Sequence, residues 1–227
     1  MCAENHSYPL ETYMDGRLKP LAFLVSLVLG PPGWAYDHSL SSRVIREAYF
    51  LGQRCIGDKT NCLEEYAKHP PMPDHGPYIS EIDLFTPYAQ VVLRSWRNSV
   101  GYSAQQAESD FLTRSPCIQI RVRIEFTPTY HGVQGTKPDK NVAGENDLIF
   151  RRQDFWHDFQ FKLSQSNKRI KPLDLYGMPI YDDSGFRGAE VWLEYDANLI
   201  SSQDTIFEVS IPGEHDLVTK FDLSKLR

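Results

Sequence analysis

Hydrophobic and polar residues alternate most regularly over residues 118–126. The apolar positions are Ile118, Ile120, Val122, Ile124 and Phe126. Arg121 and Arg123 lie among the intervening polar positions. A period of two is typical of a strand with one apolar face, so the segment predicts a central strand whose apolar side chains enter a core. The same alternation predicts that the two arginines lie on a solvated outer face.

Further short segments in the second half of the chain have the character of strands. Alternation recurs at 157–163, 189–195, 205–211 and 217–223, with short extended pieces at 172–181. Pro212 and Gly213 predict a turn that joins the last two segments as a hairpin. Several short strands without intervening helices predict an antiparallel β-sandwich over 116–227. The expected architecture is immunoglobulin-like, although the Cys-Trp-Cys spacing of true immunoglobulin domains is absent.

A helical period replaces alternation in much of the preceding region. The segments 39–54, 88–98 and 104–113 have apolar residues at helical spacing, whereas 78–85 is a candidate strand. Thr86 before Pro87, and Ser103 before the third segment, are typical residues for the start of a helix. The pattern predicts a mainly helical N-terminal portion, residues 36–115, that packs on the sandwich. The expected fold class is therefore α+β.

The N-terminal region has the three-part layout of an export signal. Arg17 and Lys19 precede the apolar run 21–29, and small residues flank a cleavage position after Ala35. Residues 14–35 therefore predict a signal peptide and export to the periplasm or the extracellular space. Residues 1–13 are acidic and fit no signal, so they are interpreted as a gene-model extension. The alternative is a cytosolic protein that buries its apolar segment.

Length and charge exclude several broad classes of protein. The chain has 227 residues, is 41% hydrophobic and has a formal net charge of −6. This composition excludes wholesale disorder, and the acidic balance argues against a nucleic-acid partner. The mature chain has no apolar stretch of the roughly 18 residues that a membrane-spanning helix needs.

The cysteines predict a disulfide rather than a metal site. Cys55 and Cys62 bracket a short polar loop, and an oxidising compartment would permit a bond between them. Two alternatives remain, namely unlinked thiols or a bond from Cys117 to one of the pair. No Cys-x-x-Cys pair and no His-x-x-x-His pair is present, so the sequence predicts neither a metal nor another cofactor.

Other motifs fall short of a catalytic or metal-binding pattern. Ser103 follows Gly101 as in a serine-hydrolase turn, but Gln105 replaces the second glycine, so Ser103 is predicted to cap a helix instead. Residues 139–144 lack the carboxylates that a calcium loop requires. The remaining histidines and aspartates show no recognisable ligand spacing: His69, Asp74, His75, His131 and His157. The sequence therefore assigns no catalytic residue.

Paired carboxylates give the one candidate binding site. Glu190, Trp192 and Glu194 occupy one face of a predicted strand, where an aromatic ring between two acceptors suits a sugar. The competing interpretation is an ordinary sheet face, half exposed or covered by the helices. Asp182 and Asp183 form a second acidic pair. The sequence favours an exported, non-catalytic binding or assembly protein with an unknown protein or carbohydrate ligand. The alternative is a secreted hydrolase with a carboxylate or metal centre.

Overall fold

The computed structural model describes residues 36–55, 60–98, 100–130, 133–134, 150–183, 185–213 and 215–227. The interpretations of 1–13 as an extension, of 14–35 as a signal peptide and of 139–144 as a polar loop concern residues outside these ranges, so they stay predictions. The described residues belong to a unit that spans Gly33–Arg227. None of the described helices is long and apolar enough to cross a membrane.

Four α-helices are described, and local sequence signals explain where two of them begin. The helices are α1 (Ser42–Arg54), α2 (Thr60–Leu63), α3 (Pro87–Arg97) and α4 (Ala104–Leu112). The backbone N–H of Ala89 donates to Thr86 Oγ1 at 3.2 Å, and that of Gln106 donates to Ser103 Oγ at 3.1 Å. Both hydroxyls satisfy N–H groups that the first turn leaves free, so the predicted caps are confirmed.

The described strands form two antiparallel sheets and one short parallel pair. The strands are β1 (Ala67–Lys68), β2 (Pro77–Phe85), β3 (Cys117–Phe126), β4 (Val133–Gln134), β5 (Phe150–Arg151), β6 (Gln160–Gln165), β7 (Lys168–Ile170), β8 (Asp174–Asp182), β9 (Gly185–Asp196), β10 (Asp204–Ser210) and β11 (Leu217–Asp222). The five-stranded sheet has the order β1-β2-β3-β9-β8, and the four-stranded sheet has the order β11-β10-β6-β7. The predicted hairpin is confirmed, because β10 pairs antiparallel with β11.

The four described α-helices all lie within residues 36–115, but this part of the chain also contributes β1 and β2, which belong to the five-stranded sheet. Strand β2 lies between α2 and α3 in the sequence and pairs with β3 along most of its length. Its buried side chains include Ile79, Ile82 and Leu84, which share the core of the sheet. Pairing with β2 on one side and β9 on the other satisfies the backbone hydrogen bonds of β3 on both of its edges. The fold is therefore α+β with two antiparallel sheets.

The apolar face of β3 enters the core as its alternation predicts. Ile120, Val122 and Ile124 are fully buried. Side chains from the four-stranded sheet, among them Leu163 and Phe207, belong to the same buried cluster. Burial of this set removes apolar surface from water, which is the main favourable contribution to folding.

Helix α1 packs closely on α3 and is followed by a disulfide. Gly52 of α1 lies against the backbone of α3, where a Cβ atom would meet Ser95 Cβ at 2.8 Å. Cys55 follows α1 directly and is bonded to Cys62 of α2, with 6.0 Å between the two Cα atoms. The predicted disulfide is confirmed. Cys117 is a free thiol.

Candidate functional site

A groove of about 680 Å³ lies between helices α3 and α4 and one end of the outer face of the five-stranded sheet. Helix α3 follows β2 directly, so the chain places it beside the start of β3. Strands β3, β9 and β8 supply the floor. The polar floor residues are Gln119, Glu190 and Glu194, and the aromatic ones are Tyr176 and Trp192. Volumes between about 300 and 1,000 Å³ are typical of ligand pockets.

The structure brings all three predicted binding residues into this groove. Glu190, Trp192 and Glu194 occupy alternate positions of β9 and line the same cavity. Trp192 is only 6% exposed, however, and its ring stacks on Phe85 with 5.9 Å between centroids. Its indole N–H donates to Glu190 Oε1 at 2.8 Å. Trp192 therefore supports the floor and leaves little ring surface for a ligand.

Arg121 is buried, which corrects the expectation of a solvated outer face. Its side chain is 6% exposed and lies 2.8 Å from Glu81 Oε2 and 3.5 Å from Glu190 Oε2. It also pairs with Asp83, the residue directly opposite on β2. A buried guanidinium is tolerated only where carboxylates compensate for its lost hydration. These carboxylates belong to the neighbouring strands β2 and β9, and the pairing register places them beside Arg121. The alternation of residues within β3 alone could not predict them.

Glu190 and Glu194 are held apart and by different donors. Glu194 Oε1 accepts a hydrogen bond from Gln119 Nε2 at 2.7 Å, whereas Glu190 accepts from Trp192 and contacts Arg121. The rise of a strand places their Cα atoms about 13 Å apart. Two carboxylates fixed in this way present separate hydrogen-bond acceptors to the groove.

Tyr176 is the open aromatic surface of the site, and the sequence did not identify it. It lies opposite Trp192 across the β8–β9 ladder and is 40% exposed. Burial raises the pKa of its phenol, and the nearby Glu194 carboxylate adds to the rise. The hydroxyl is therefore a neutral hydrogen-bonding group over the ordinary pH range. Its role depends on the register of β8 against β9, which no local motif encodes.

A hydrogen-bonded cluster braces the helical wall. Arg94 Nη1 of α3 lies 3.1 Å from Asp110 Oδ2 of α4. Tyr102 Oη donates to the same carboxylate at 3.1 Å, and Gln106 Nε2 donates to Oδ1 at 2.8 Å. The hydrogen bonds from Gln106, Tyr102 and Arg94 hold the pKa of Asp110 below its ordinary value. The charge of Arg94 is thus matched within the wall.

Two further arginines line the groove without a carboxylate partner among the described residues. Arg97 ends α3, and Arg114 follows α4. The Arg97 charge opposes the rise in the pKa of Tyr176, so its guanidinium lies within electrostatic range of that phenol. The Arg114 charge acts on Cys117 in the same way. The sequence did not predict either arginine as a site residue, because nothing near them distinguishes them from the other lysines and arginines of the chain.

Cys117 lies at the β3 end of the groove. Its thiol contacts Gln90 Oε1 at 3.7 Å, and Gln90 Nε2 donates to the Cys117 carbonyl oxygen at 2.7 Å. Burial raises the pKa of the Cys117 thiol, and the negative charge of Glu194 adds to that effect. A thiol with a raised pKa is a poor nucleophile at neutral pH, so Cys117 lines the groove as a protonated group.

The other candidates from the sequence that belong to the described residues lie outside this groove. His75 Nδ1 is 3.1 Å from Thr129 Oγ1, and the ring of His157 stacks on Trp156. Asp182 pairs with Arg187 at 2.9 Å. Within the described ranges, no group of three or more His, Cys, Asp or Glu side chains is placed to hold a metal ion. His131 is not among the described residues.

Comparison of the sequence with known proteins identifies no relative whose function could be assigned to this chain. No known protein family and no curated protein matches the sequence. The chemistry of the groove therefore carries the functional argument.

Proposed function

We propose that this protein is an exported, non-catalytic binding protein that takes a carbohydrate ligand in the groove between α3, α4 and the five-stranded sheet. The observation that carries the proposal is the combination of a half-exposed aromatic ring, Tyr176, with fixed hydrogen-bonding groups around it. Sugar rings present an apolar C–H face and a rim of hydroxyl groups. An open aromatic ring suits the first, and oriented amides and carboxylates suit the second.

The acceptors of the floor are already oriented. Gln119 holds Glu194, and Trp192 and Arg121 hold Glu190, so neither carboxylate has to be ordered when a ligand arrives. Groups that are fixed before binding lose less conformational entropy on binding than flexible ones. Hydroxyl groups of a sugar would donate to the remaining lone pairs of these oxygens.

The hydrolase alternative has weaker support. Two carboxylates that act as acid and base flank one bond and lie roughly 5–9.5 Å apart. Glu190 and Glu194 lie four residues apart on one strand, and each carboxylate is already engaged by donors of its own, Trp192 and Arg121 for the first and Gln119 for the second. Binding without bond cleavage is therefore the function that this arrangement favours.

Export is part of the same proposal. The Cys55–Cys62 disulfide suits an oxidising compartment. Cleavage after Ala35 would leave Tyr36 as the first residue, with its hydroxyl donating to the Ala197 carbonyl oxygen at 3.1 Å. Expression from Met14 in a bacterial host should give an exported chain that begins at Tyr36. N-terminal sequencing that finds Met14 on the soluble protein would refute this part of the proposal.

We also infer that the two antiparallel sheets pack face to face as a sandwich. The support is that the inward side chains of both sheets, such as Val122 and Phe207, belong to one buried cluster. The immunoglobulin-like arrangement stays a prediction. A sandwich leaves the outer face of the five-stranded sheet available to form the floor of the groove.

The binding proposal is tested by titration calorimetry with neutral and acidic oligosaccharides of three to six units. We expect at least one to bind, and Tyr176→Ala to weaken that binding by roughly tenfold because the stacking surface is lost. Glu194→Gln should also weaken binding, whereas Val218→Ala, an exposed position on β11, should not. Release of shorter sugars during incubation would favour the hydrolase instead. Failure of every sugar to bind would refute the carbohydrate proposal.

A further inference from the structure

A second cavity shares part of its lining with the groove. It has a volume of about 520 Å³ and is more open than the groove. Four residues line both cavities: Arg94, Asn98, Tyr102 and Asp110. Val100, Gly101 and Gln106 complete the lining of the second cavity. The ion pair between Arg94 and Asp110 therefore lies where the two cavities meet.

This ion pair is within reach of a ligand. The side chains of Arg94 and Asp110 are 28% and 29% exposed, so neither is sealed inside the helical wall. Their mutual contact, together with the hydrogen bonds from Tyr102 and Gln106 to Asp110, fixes both side chains in place. A fixed guanidinium–carboxylate pair offers donors and acceptors side by side, and a hydroxyl group bonds to either.

A polar stripe on α3 connects the groove with the second cavity. Gln90, Arg94 and Asn98 follow one another at intervals of four residues, which places them on one side of the helix. Gln90 Nε2 donates to the Cys117 carbonyl oxygen at 2.7 Å, and Asn98 Nδ2 donates to the Arg94 carbonyl oxygen at 2.9 Å. The rise of an α-helix makes the stripe about 12 Å long. It is a row of fixed polar groups that is longer than a single sugar ring.

Positive and negative side chains are equal in number along this path. Three arginines and three carboxylates line the groove: Arg94, Arg97, Arg114, Asp110, Glu190 and Glu194. The charged residues that line the second cavity are Arg94 and Asp110, which the groove already includes. A lining that balances its charges has no excess of either sign to attract an ionic ligand. It suits neutral groups that both donate and accept hydrogen bonds, as hydroxyl groups do.

We propose that the ligand is a neutral oligosaccharide that lies along α3 and crosses the Arg94–Asp110 pair. One sugar unit stacks on Tyr176 in the groove, and another occupies the second cavity against Val100. Hydroxyl groups between these two units bond to the polar stripe. This inference rests on the proposed carbohydrate function, to which it adds a second subsite, the absence of charge on the ligand and a minimum length.

Titration calorimetry with a series of chain lengths tests the second subsite. The probes are linear oligomers of glucose, of xylose and of N-acetylglucosamine, each with one to six units. We expect the affinity of a series that binds to rise about tenfold or more between the dimer and the tetramer, because the longer chain reaches both cavities. Further units should add little, since they extend beyond the lining. Equal affinity of the dimer and the tetramer would overturn the second subsite.

Matched variants distinguish the two cavities. Val100→Trp fills part of the second cavity, and the position tolerates a larger side chain because Val100 is 94% exposed. We expect this variant to weaken binding of the tetramer about tenfold and to leave binding of the dimer unchanged. Tyr176→Ala, in the groove, should weaken binding of both. Val218→Trp is the control, because Val218 is 61% exposed and lines neither cavity. Unchanged urea midpoints establish that the variants are folded.

The outcomes separate this inference from the function on which it rests. Three results would overturn the inference and leave the carbohydrate proposal standing. They are binding that does not depend on chain length, no effect of Val100→Trp on the tetramer, and binding of galacturonic acid oligomers in preference to every neutral series. Failure of both neutral and acidic oligomers to bind would overturn both proposals.

Discussion

The two faces of β3 are both covered near Arg121, but by different chemistry. On the inner face, Val122 is fully buried and belongs to the apolar core cluster. On the outer face, Arg121 is held by carboxylates of β2 and β9, with Glu81 Oε2 at 2.8 Å. Farther along the same outer face, Arg123 is 38% exposed and pairs with Glu125 at 2.6 Å. One alternating sequence therefore contains an apolar core, a buried ionic cluster and a partly exposed ion pair.

The comparison shows that polar side chains on one face of a strand can lie in different environments, one buried among carboxylates and another partly exposed to solvent. Removal of a buried apolar group loses transfer energy and leaves a cavity, whereas removal of a buried cation leaves carboxylates without compensation. These costs have different sizes, so stability measurements along β3 distinguish the three environments.

The largest effect is expected for Arg121→Ala. The change removes the guanidinium from the buried carboxylates of Glu81 and Asp83, and the loss of one partner of a buried ion pair destabilises by about 3–5 kcal/mol. Urea denaturation followed by fluorescence measures the free energy of unfolding. Arg152→Ala, at an exposed ion pair, serves as the control and should change it by less than about 0.5 kcal/mol. A cost for Arg121→Ala within the range of the control would mean that water reaches the cluster.

Val122→Ala is expected to cost less than Arg121→Ala. The substitution removes two buried methyl groups, which corresponds to about 1–3 kcal/mol from lost transfer energy and a small cavity. The same urea titration compares the two variants directly. If the outer face were wet, as the alternation predicts, the order of the two costs would be reversed. A larger cost for Val122→Ala would therefore contradict the burial of Arg121.

The sequence predicted the parts of this comparison that depend on neighbouring positions. The period of two assigned the inner side chains of β3, and Thr86 and Ser103 marked the starts of α3 and α4. These signals are local, because alternation and helix caps are set by residues a few positions apart. The Cys55–Cys62 bond was predictable for the same reason, since a short polar loop separates the two residues.

The features that the sequence did not predict, the burial of Arg121 and the position of Tyr176 in the groove, depend on contacts between segments that are distant in the sequence. Asp83 lies opposite Arg121 only because β2 pairs with β3 in one register, and nothing near either residue specifies that register. Tyr176 reaches the groove because β8 pairs with β9, which places it opposite Trp192. The site prediction therefore contained the residues of one strand, Glu190 to Glu194, and missed the residues that other elements contribute.

A smaller effect is expected for Arg123→Ala on the same outer face. Its partner Glu125 is also partly exposed, and pairs of this kind contribute about 0.2–1 kcal/mol. A double-mutant cycle with Glu125→Ala isolates the interaction energy of the pair. An interaction energy as large as the loss caused by Arg121→Ala would mean that the outer face is uniformly buried, and the contrast along β3 would disappear.

The smallest effect on stability, and the most direct probe of the groove, is expected at Cys117. Burial and then the Glu194 charge raise the pKa of this thiol above its value in the unfolded chain. The folded state therefore binds the proton more tightly, and the contribution of this thiol to stability is present below the unfolded pKa and is lost as pH rises through the folded pKa.

At pH 8, alkylation of Cys117 by iodoacetamide should be several-fold slower in the folded protein than in urea, because only the thiolate reacts. Mass spectrometry of the modified peptide gives both rates. Glu194→Gln removes the nearby negative charge and should accelerate alkylation of the folded protein, while Glu208→Gln, on β10 and outside the groove, should not. Equal rates in the wild-type and Glu194→Gln proteins would mean that this carboxylate does not act on the thiol, and the floor of the groove would lose the charge assigned to it.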